Sequence, residues 1–346
     1  MNILLVASDS THSCRIALRY RSSGINFIWK SLYPPSVGKH EKNEIKPVFC
    51  GIFHMVREFW KSRGRIIHVH YLGKALIPIF LSVNRNLVIN FWGSDFVKLK
   101  KYKLFWLLKL IKLLHSKVIF ISDANHIIST LKKSGIEVEH VIFGTDTHLF
   151  KPKDKFDEIK NKKIISCRNF APLYRIEDII KFFVISEIWK DDWELYVYGV
   201  GSQVDTTRIH KLCIESNKIC NKKVIFLGRQ SQEQIVELFQ NASFHISAAI
   251  SDGGLSAAVA EGMACGSVPI INDAVDNSIH VNHDNGVLFL TDNLDSLIDT
   301  YKNCAKMTTE DHRKLSNNAV EKINLEFSSD AFMNKIVGIY KRFNDD

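Results

Sequence analysis

The chain has 346 residues, 46% of them hydrophobic and 24% charged, an ordinary globular composition that is too long for one core and points to two domains of about 150 residues each. No apolar run reaches the roughly 18 to 20 uncharged residues of a spanning helix, because Arg85 interrupts the run from Ala75 and lysines interrupt the one from Leu104. Seven cysteines without a CxxC or a His/Cys metal spacing argue against zinc and fit reduced, buried thiols better than disulfides.

The net charge of +9 is unevenly placed. Residues 1–150 hold 22 Lys and Arg against 9 Asp and Glu, a net of +13, and the remainder holds 24 against 28, a net of −4. That asymmetry points to an anionic partner for the first half, either a membrane leaflet or nucleic acid, unless it reflects general lysine richness. The start, MNILLVASDSTHS, has neither a basic n-region nor a long apolar h-region, so a cytoplasmic protein is expected.

In chain order, Ile3–Val6, Ile66–Val69, Leu87–Asn90 and Val118–Ile121 read as buried parallel strands. Between the first two, residues 36–48 read as an irregular loop. Residues 96–115, FVKLKKYKLFWLLKLIKLLH, read as one amphipathic helix. It either lies on an anionic membrane with its lysines at headgroup level or packs on the sheet with Trp106–Leu108 in the core. A polar stretch at Lys151–Lys155 marks the domain boundary, giving 1–152 and 153–327. A second strand set follows at Lys163–Ser166, Leu195–Tyr198, Val224–Leu227, Phe244–Ser247 and Val268–Ile271. Ser328 or Ser329 is placed to cap a final helix through Phe343. Helical patterns between members of each set predict an α/β protein of two doubly wound, Rossmann-like domains facing a cleft.

In such sheets ligands bind beyond the carboxyl ends of the strands, so the loops of the second half come first. After Lys163–Ser166, Arg168 and Arg175 share one strand-to-helix loop and either clamp phosphate oxygens or sit on the surface as plain arginines. Gly199 and Gly201 in VYGVGSQ open a dinucleotide-like GxG, but Val204 stands where the fingerprint has Gly or Ala, so the case for NAD is weak. After Phe244–Ser247 comes SDGGLSAAVAEGMACGSVPII, with a helix expected to start near Ser256 as N-cap and to end at Gly266. The amides around Gly253, Gly254, Leu255 and Ser256, with the helix dipole, form an anion site. Glu261 lies five residues on, about 7.5 Å along the axis, which suits a carboxylate accepting from ribose hydroxyls. The surrounding alanines imply burial, and a buried glutamate needs a partner.

These residues resemble retaining glycosyltransferases of the GT-B fold, family 4 type, over most of the chain. EGMACGSVPII is similar to that family's helix and following strand, in which the glutamate, here Glu261, binds the donor ribose. FGTDTHLFKP resembles the interdomain segment, Arg168 with Arg175 the diphosphate pair, and VYGVGSQ the post-strand glycines. VIFLGRQSQEQIVELFQNAS, containing Arg229, resembles the stretch beside the donor base, and FWGSDF the acceptor-side loop facing the donor sugar. Three positions depart from the pattern. Gly253 stands where the family often has a first glutamate, with Asp252 beside it as the substitute; Trp92 replaces a frequent histidine; and Ala7–His12 lacks the usual glycine pair.

The resemblance implies transfer of a sugar from a nucleotide diphosphate donor, UDP-linked, to a saccharide or lipid-linked acceptor in surface polysaccharide or glycolipid synthesis. Arg168, Arg175 and the amides of Gly254–Ser256 would stabilise the departing diphosphate without a metal or other cofactor, with Asp95 and Asp252 as the catalytic candidates. In the resembling fold the last helix crosses back onto the first domain. Two other readings stand beside it: a sugar-nucleotide epimerase of the same architecture, and a basic nucleic-acid binder, for which no helix-turn-helix, RRM or zinc signature is present.

Overall fold

The structure, a computed structural model, describes residues 2–8, 10–33, 47–92, 94–153, 161–250, 255–274, 276–291 and 293–343. The chain divides into two compact units, residues 1–144 with 329–346, and residues 145–328.

The first unit is built on β1 (Asn2–Val6), β2 (Asn26–Ser31), β3 (Val48–Phe49), β4 (Ile66–His70), β5 (Asn86–Phe91), β6 (Lys117–Ser122) and β7 (Glu139–His140). They form one parallel sheet in the order β3-β2-β1-β4-β5-β6-β7. Its helices are α1 (Thr11–Ser22), α2 (Ile52–Lys61), α3 (Leu76–Phe80), α4 (Ser94–Lys101), α5 (Phe105–Leu114) and α6 (Asn125–Lys133). The strands read as continuous apolar runs because both faces of the sheet are covered. Leu4, Val6, Ile67, Val69, Leu87 and Ile89 point to the face covered by α2 to α6, where Met55, Phe59, Phe96, Leu99, Leu108 and Ile111 meet them. The alternate positions, Ile3, Leu5, Ile66 and Val88, point to the other face, against Ile16, Ala17 and Tyr20 of α1.

Two expectations change here. The loop expected over residues 36–48 falls outside the described residues up to Lys46, and at its end Val48 opens the short edge strand β3, paired to Lys30. The single helix expected over residues 96–115 is two helices. The chain breaks at Lys103, which turns left-handed at φ 54°, while Leu104 N–H donates to Leu99 O at 2.8 Å and closes the end of α4.

The second unit alternates β8 (Lys163–Cys167), α7 (Ile176–Ser186), β9 (Glu194–Tyr198), α8 (Gln203–Asn217), β10 (Val224–Gly228) and α9 (Gln232–Gln240). It continues with β11 (Phe244–Ser247), α10 (Ala257–Ala264), β12 (Val268–Asn272), α11 (Asn277–His280), β13 (Val287–Phe289), α12 (Leu294–Lys306) and α13 (Thr309–Glu326). The sheet is parallel, in the order β10-β9-β8-β11-β12-β13. Three of the helices start on serines whose side chains accept an amide, Ser202, Ser231 and Ser256; Ser231 and Gln234 complete a capping box. The last helix, α14 (Ser329–Lys341), ends two residues before Phe343 and belongs to the first unit, where Phe332, Ile336 and Tyr340 join the α1 layer.

In this second sheet β8 comes first in sequence and sits between β9 and β11, so the connections leaving β8 and β11 run to opposite sides. The carboxyl ends of those two strands therefore flank the crevice at which open α/β sheets bind ligands.

Candidate functional site

The loop after β8 and the segment after β9 are held together by a continuation of the sheet ladder. Arg168 N–H donates to Tyr198 O at 3.2 Å and Phe170 N–H to Val200 O at 2.9 Å. Gly199 makes this possible, since a Cβ there would lie 2.0 Å from Arg168 O. Gly199 thus serves a close backbone crossing, a packing role that the GxG spacing alone does not distinguish from ligand approach. Gly199→Ala is expected to cost about 3 kcal/mol or more, since the carbonyl it meets belongs to a paired backbone that cannot retreat. A urea-unfolding midpoint unchanged from the parent would refute that account.

Arg168 is half-buried, and its guanidinium lies over the Tyr174 ring at 4.5 Å from the centroid, which fixes the side chain's plane near the end of β8. Arg175 takes the left-handed conformation, φ 52°, at the residue before α7, and its Nε donates to Asp178 Oδ2 at 2.6 Å. Both arginines therefore sit on the β8–α7 connection, and each is steadied by a neighbour that sequence reading missed. Asp178 was readable as an acid in the first turn of α7, but Tyr174 carried no signal of its own. Arg229 stands exposed just beyond β10, after Gly228 turns left-handed at φ 63°.

The connection after β11 is stitched on both sides. Ile250 N–H donates to Leu173 O, 3.2 Å, in the β8 loop, and Asn272 Nδ2 donates to Ala249 O, 3.0 Å, from the end of β12. Asn277 Nδ2 in turn donates to Asn272 Oδ1 at 2.9 Å. Asn272, a buried amide at the carboxyl end of an apolar strand, is a signal the sequence did offer and that was passed over. Asp252, Gly253 and Gly254 lie outside the described residues. Leu255 and Ser256 are half-buried, and Ser256 Oγ accepts from Val259 N at 3.4 Å as the N-cap of α10. The helix ends as expected, with Gly266 left-handed at φ 84° and Ser267 N–H donating to Gly262 O.

Glu261 is 8% exposed, on a helix otherwise buried from Val259 to Ala264. At the end of β8, burial pushes the Cys167 thiol well above its ordinary range, the Glu261 charge pushes it further, and Arg168 pulls it back. Cys265 is raised to about 12 by burial and, second, by the same carboxylate. The charges of Glu261 and Arg168 thus act in opposite directions on one buried thiol at the end of β8. The neighbouring Gly262 has a different duty, for a Cβ there would meet the fully buried His245 ring at 2.7 Å. All seven cysteines are buried and none is in a disulfide.

In the first unit Asp95 is 3% exposed and opens α4. Its Oδ1 accepts from Trp92 N (3.1 Å) and Phe96 N (3.0 Å), and its Oδ2 from Leu72 N (3.2 Å). Burial raises its pKa and these amides oppose the rise. The carboxylate ties the ends of β4 and β5 together. Among the described residues no group of three or more His, Cys, Asp or Glu is placed to hold a metal ion, and no helix is long and apolar enough to cross a membrane.

Residues 149–322 match the family described as Glycosyl transferases group 1. The chain belongs to that family. It is accordingly a glycosyltransferase, and its two parallel-sheet α/β units match GT-B structures. A glycosyltransferase from Rickettsia africae ESF-5 superposes with a TM-score of 0.77 at 18% identity, over 99% of this chain and 98% of that one. The Anabaena protein HepE in complex with UDP gives 0.79 at 12% identity, over 99% of each chain. Sucrose-phosphate synthase from Thermosynechococcus elongatus gives 0.73 at 14% identity, over 100% and 99%. No curated protein sequence matches the chain.

Proposed function

We propose that this glycosyltransferase moves a sugar, with retention at the anomeric carbon, from a UDP-linked donor to a saccharide or lipid-linked saccharide acceptor in surface polysaccharide or glycolipid synthesis. The observation that carries the reading is Glu261, a buried carboxylate a turn and a half inside a helix that follows β11, at the crevice whose other side is the end of β8, where Arg168 stands. A diphosphate at the helix start meets the amides of Leu255 and Ser256 and the positive end of the dipole, and the ribose then falls within reach of Glu261. The structures of the similar Anabaena protein with UDP and with UDP-glucose support the choice of nucleotide.

Chemistry in this arrangement is stabilisation of the leaving diphosphate, divided among Arg168, Arg175 and the α10 amides, with no metal called upon. Asp252 is the proposed contact to the transferred sugar, with Gly253 and Gly254 giving the diphosphate room and Gly199 and Arg229 flanking the nucleotide. Asp95, with its oxygens engaged by three amides, acts as a positioning residue that shapes the Leu72 and Trp92 backbone. The basic first 150 residues support work at an anionic membrane surface from the cytoplasmic side. Thermal unfolding with UDP, GDP, NAD and an unrelated anion tests the donor assignment: a rise specific to UDP is expected through mass action. Equal response to all four, or to none, would overturn it.

A further inference from the structure

Residues 48–117 of the first unit contain 13 Lys and Arg against two acids, Glu58 and Asp95. Glu58 faces His54 at 3.3 Å on the same helix, and Asp95 is buried. These residues include α2, α3, α4 and α5, which all lie on one face of the sheet. The outer sides of two of these helices carry the same pattern. On α2, Phe53, Arg57, Trp60 and Lys61 follow the i, i+4, i+7, i+8 stripe, and Phe53 is 88% exposed. On α5, Trp106, Lys109 and Leu113 follow i, i+3, i+7, and Leu113 is 82% exposed.

The two stripes are linked by the turn after α3. Trp60 Nε1 donates to Leu81 O at 3.1 Å, the Arg85 guanidinium lies over the Trp60 ring at 5.1 Å, and Asn84 N–H donates to Leu114 O at 2.9 Å. Leu81 is itself 54% exposed, so the apolar surface runs from α2 through this turn to the end of α5. Large exposed side chains at helical spacing, interleaved with cations and with no exposed acid between Val48 and Lys117 apart from the partly buried Glu58, match an interface in which hydrocarbon meets anionic headgroups. A phosphate backbone would use the cations and leave Leu81 and Leu113 without a purpose.

We infer that the α2–α5 face of the first unit is the membrane-docking surface, with Phe53 and Leu113 entering the acyl boundary and the lysines and arginines of α2, α4 and α5 at phosphate level. This deepens the membrane-side reading above and does not depend on which nucleotide the second unit binds.

The test is sedimentation of the full chain with vesicles of phosphatidylcholine containing one-third phosphatidylglycerol, beside vesicles of phosphatidylcholine alone, without nucleotide. Binding to the anionic vesicles only is expected, and Phe53→Ser with Leu113→Ser should lower the partition coefficient by about tenfold or more while leaving the UDP-dependent melting shift in place. That retained shift shows that the variant is folded. Loss of the UDP shift in the parent with vesicle binding intact would count against the donor reading alone. Three results overturn the docking surface: no binding to either vesicle, equal binding to both, or anionic binding that the double substitution leaves unchanged. A single-stranded oligonucleotide that displaces the protein from vesicles, bound equally well by parent and variant, would assign the basic face to nucleic acid instead.

Discussion

Glu261→Gln is expected to fold normally and to lose most of its UDP-dependent thermal stabilisation, with UDP affinity reduced roughly tenfold to a hundredfold and transfer activity falling with it. The magnitude follows from the hydrogen bonds at stake: those accepted by an ionised carboxylate contribute about 1.5–3 kcal/mol, which at about 1.4 kcal/mol per decade sets the range. Glutamine keeps the volume of a side chain that is 8% exposed, so no cavity opens in α10. Glutamine also keeps a polar head that accepts and donates hydrogen bonds at this buried position, so the fold is expected to be retained. The neighbouring thiols give an independent reading of the same carboxylate. Cys265 is raised to about 12 partly by Glu261, and Cys167 is raised by the same charge, so both should titrate lower in the variant. An unchanged UDP shift with lowered thiol pKa values would show that the charge had gone and that ribose recognition lies elsewhere.

The strands that could be read in advance were the central ones, because Ile3–Val6, Ile66–Val69 or Val268–Ile271 are buried on both faces and must be apolar at every position. The strands missed are β2, β3, β7 and β13. β2 mixes Asn26 and Lys30 with Phe27 and Trp29, and the other three have two or three residues whose pairing is set by the neighbouring strand more than by their own pattern. The break between α4 and α5 was hidden for a similar reason. Lysine occupies the left-handed position at residue 103, where glycine or asparagine would have announced a stop. At the candidate site, Glu261, Ser256 and Gly266 were legible from capping chemistry and from the absence of a polar face. The partners that fix Arg168 and Arg175, namely Tyr174 and Asp178, depend on a left-handed turn at Arg175 that no local residue type signals. Gly199 was legible as special but not as to why, since the carbonyl it clears belongs to a residue 31 positions earlier in the chain.

Acid should destabilise this protein steeply between about pH 6.5 and about pH 3, and the first unit should fail before the second. His70 and His245 are fully buried and held to about 3, His68 is held well below its ordinary value, and burial is the largest cause in each case. In that window the unfolded chain binds a proton at each of these rings and the folded chain does not. Stability therefore rises with pH across the window and is lost as pH falls below about 6.5, at about 1.4 kcal/mol per pH unit for each histidine, until the folded rings protonate as well. Asp95 works in the opposite direction: its carboxyl is raised above 3.8 by burial, so acidification between 3.8 and its native value returns some stability to the first unit. One carboxyl does not offset two histidines. His68 and His70 are neighbours on β4, with ring centroids 4.2 Å apart, and charging either raises the cost of charging the other. His68 Nδ1 is further committed to the hydroxyls of Tyr20 and Tyr340, at 2.8 and 2.6 Å, which join α1 and α14 to the sheet. Amide exchange followed by mass spectrometry as the pH is lowered should thus show β4, α1 and α14 opening ahead of β11 and α10. His70→Phe, which keeps a ring against Trp92 and cannot titrate, should flatten the first unit's acid limb by about 1.4 kcal/mol per pH unit. An acid limb of the same slope in that variant, or opening of the second unit first, would mean that some other group carries the acid sensitivity.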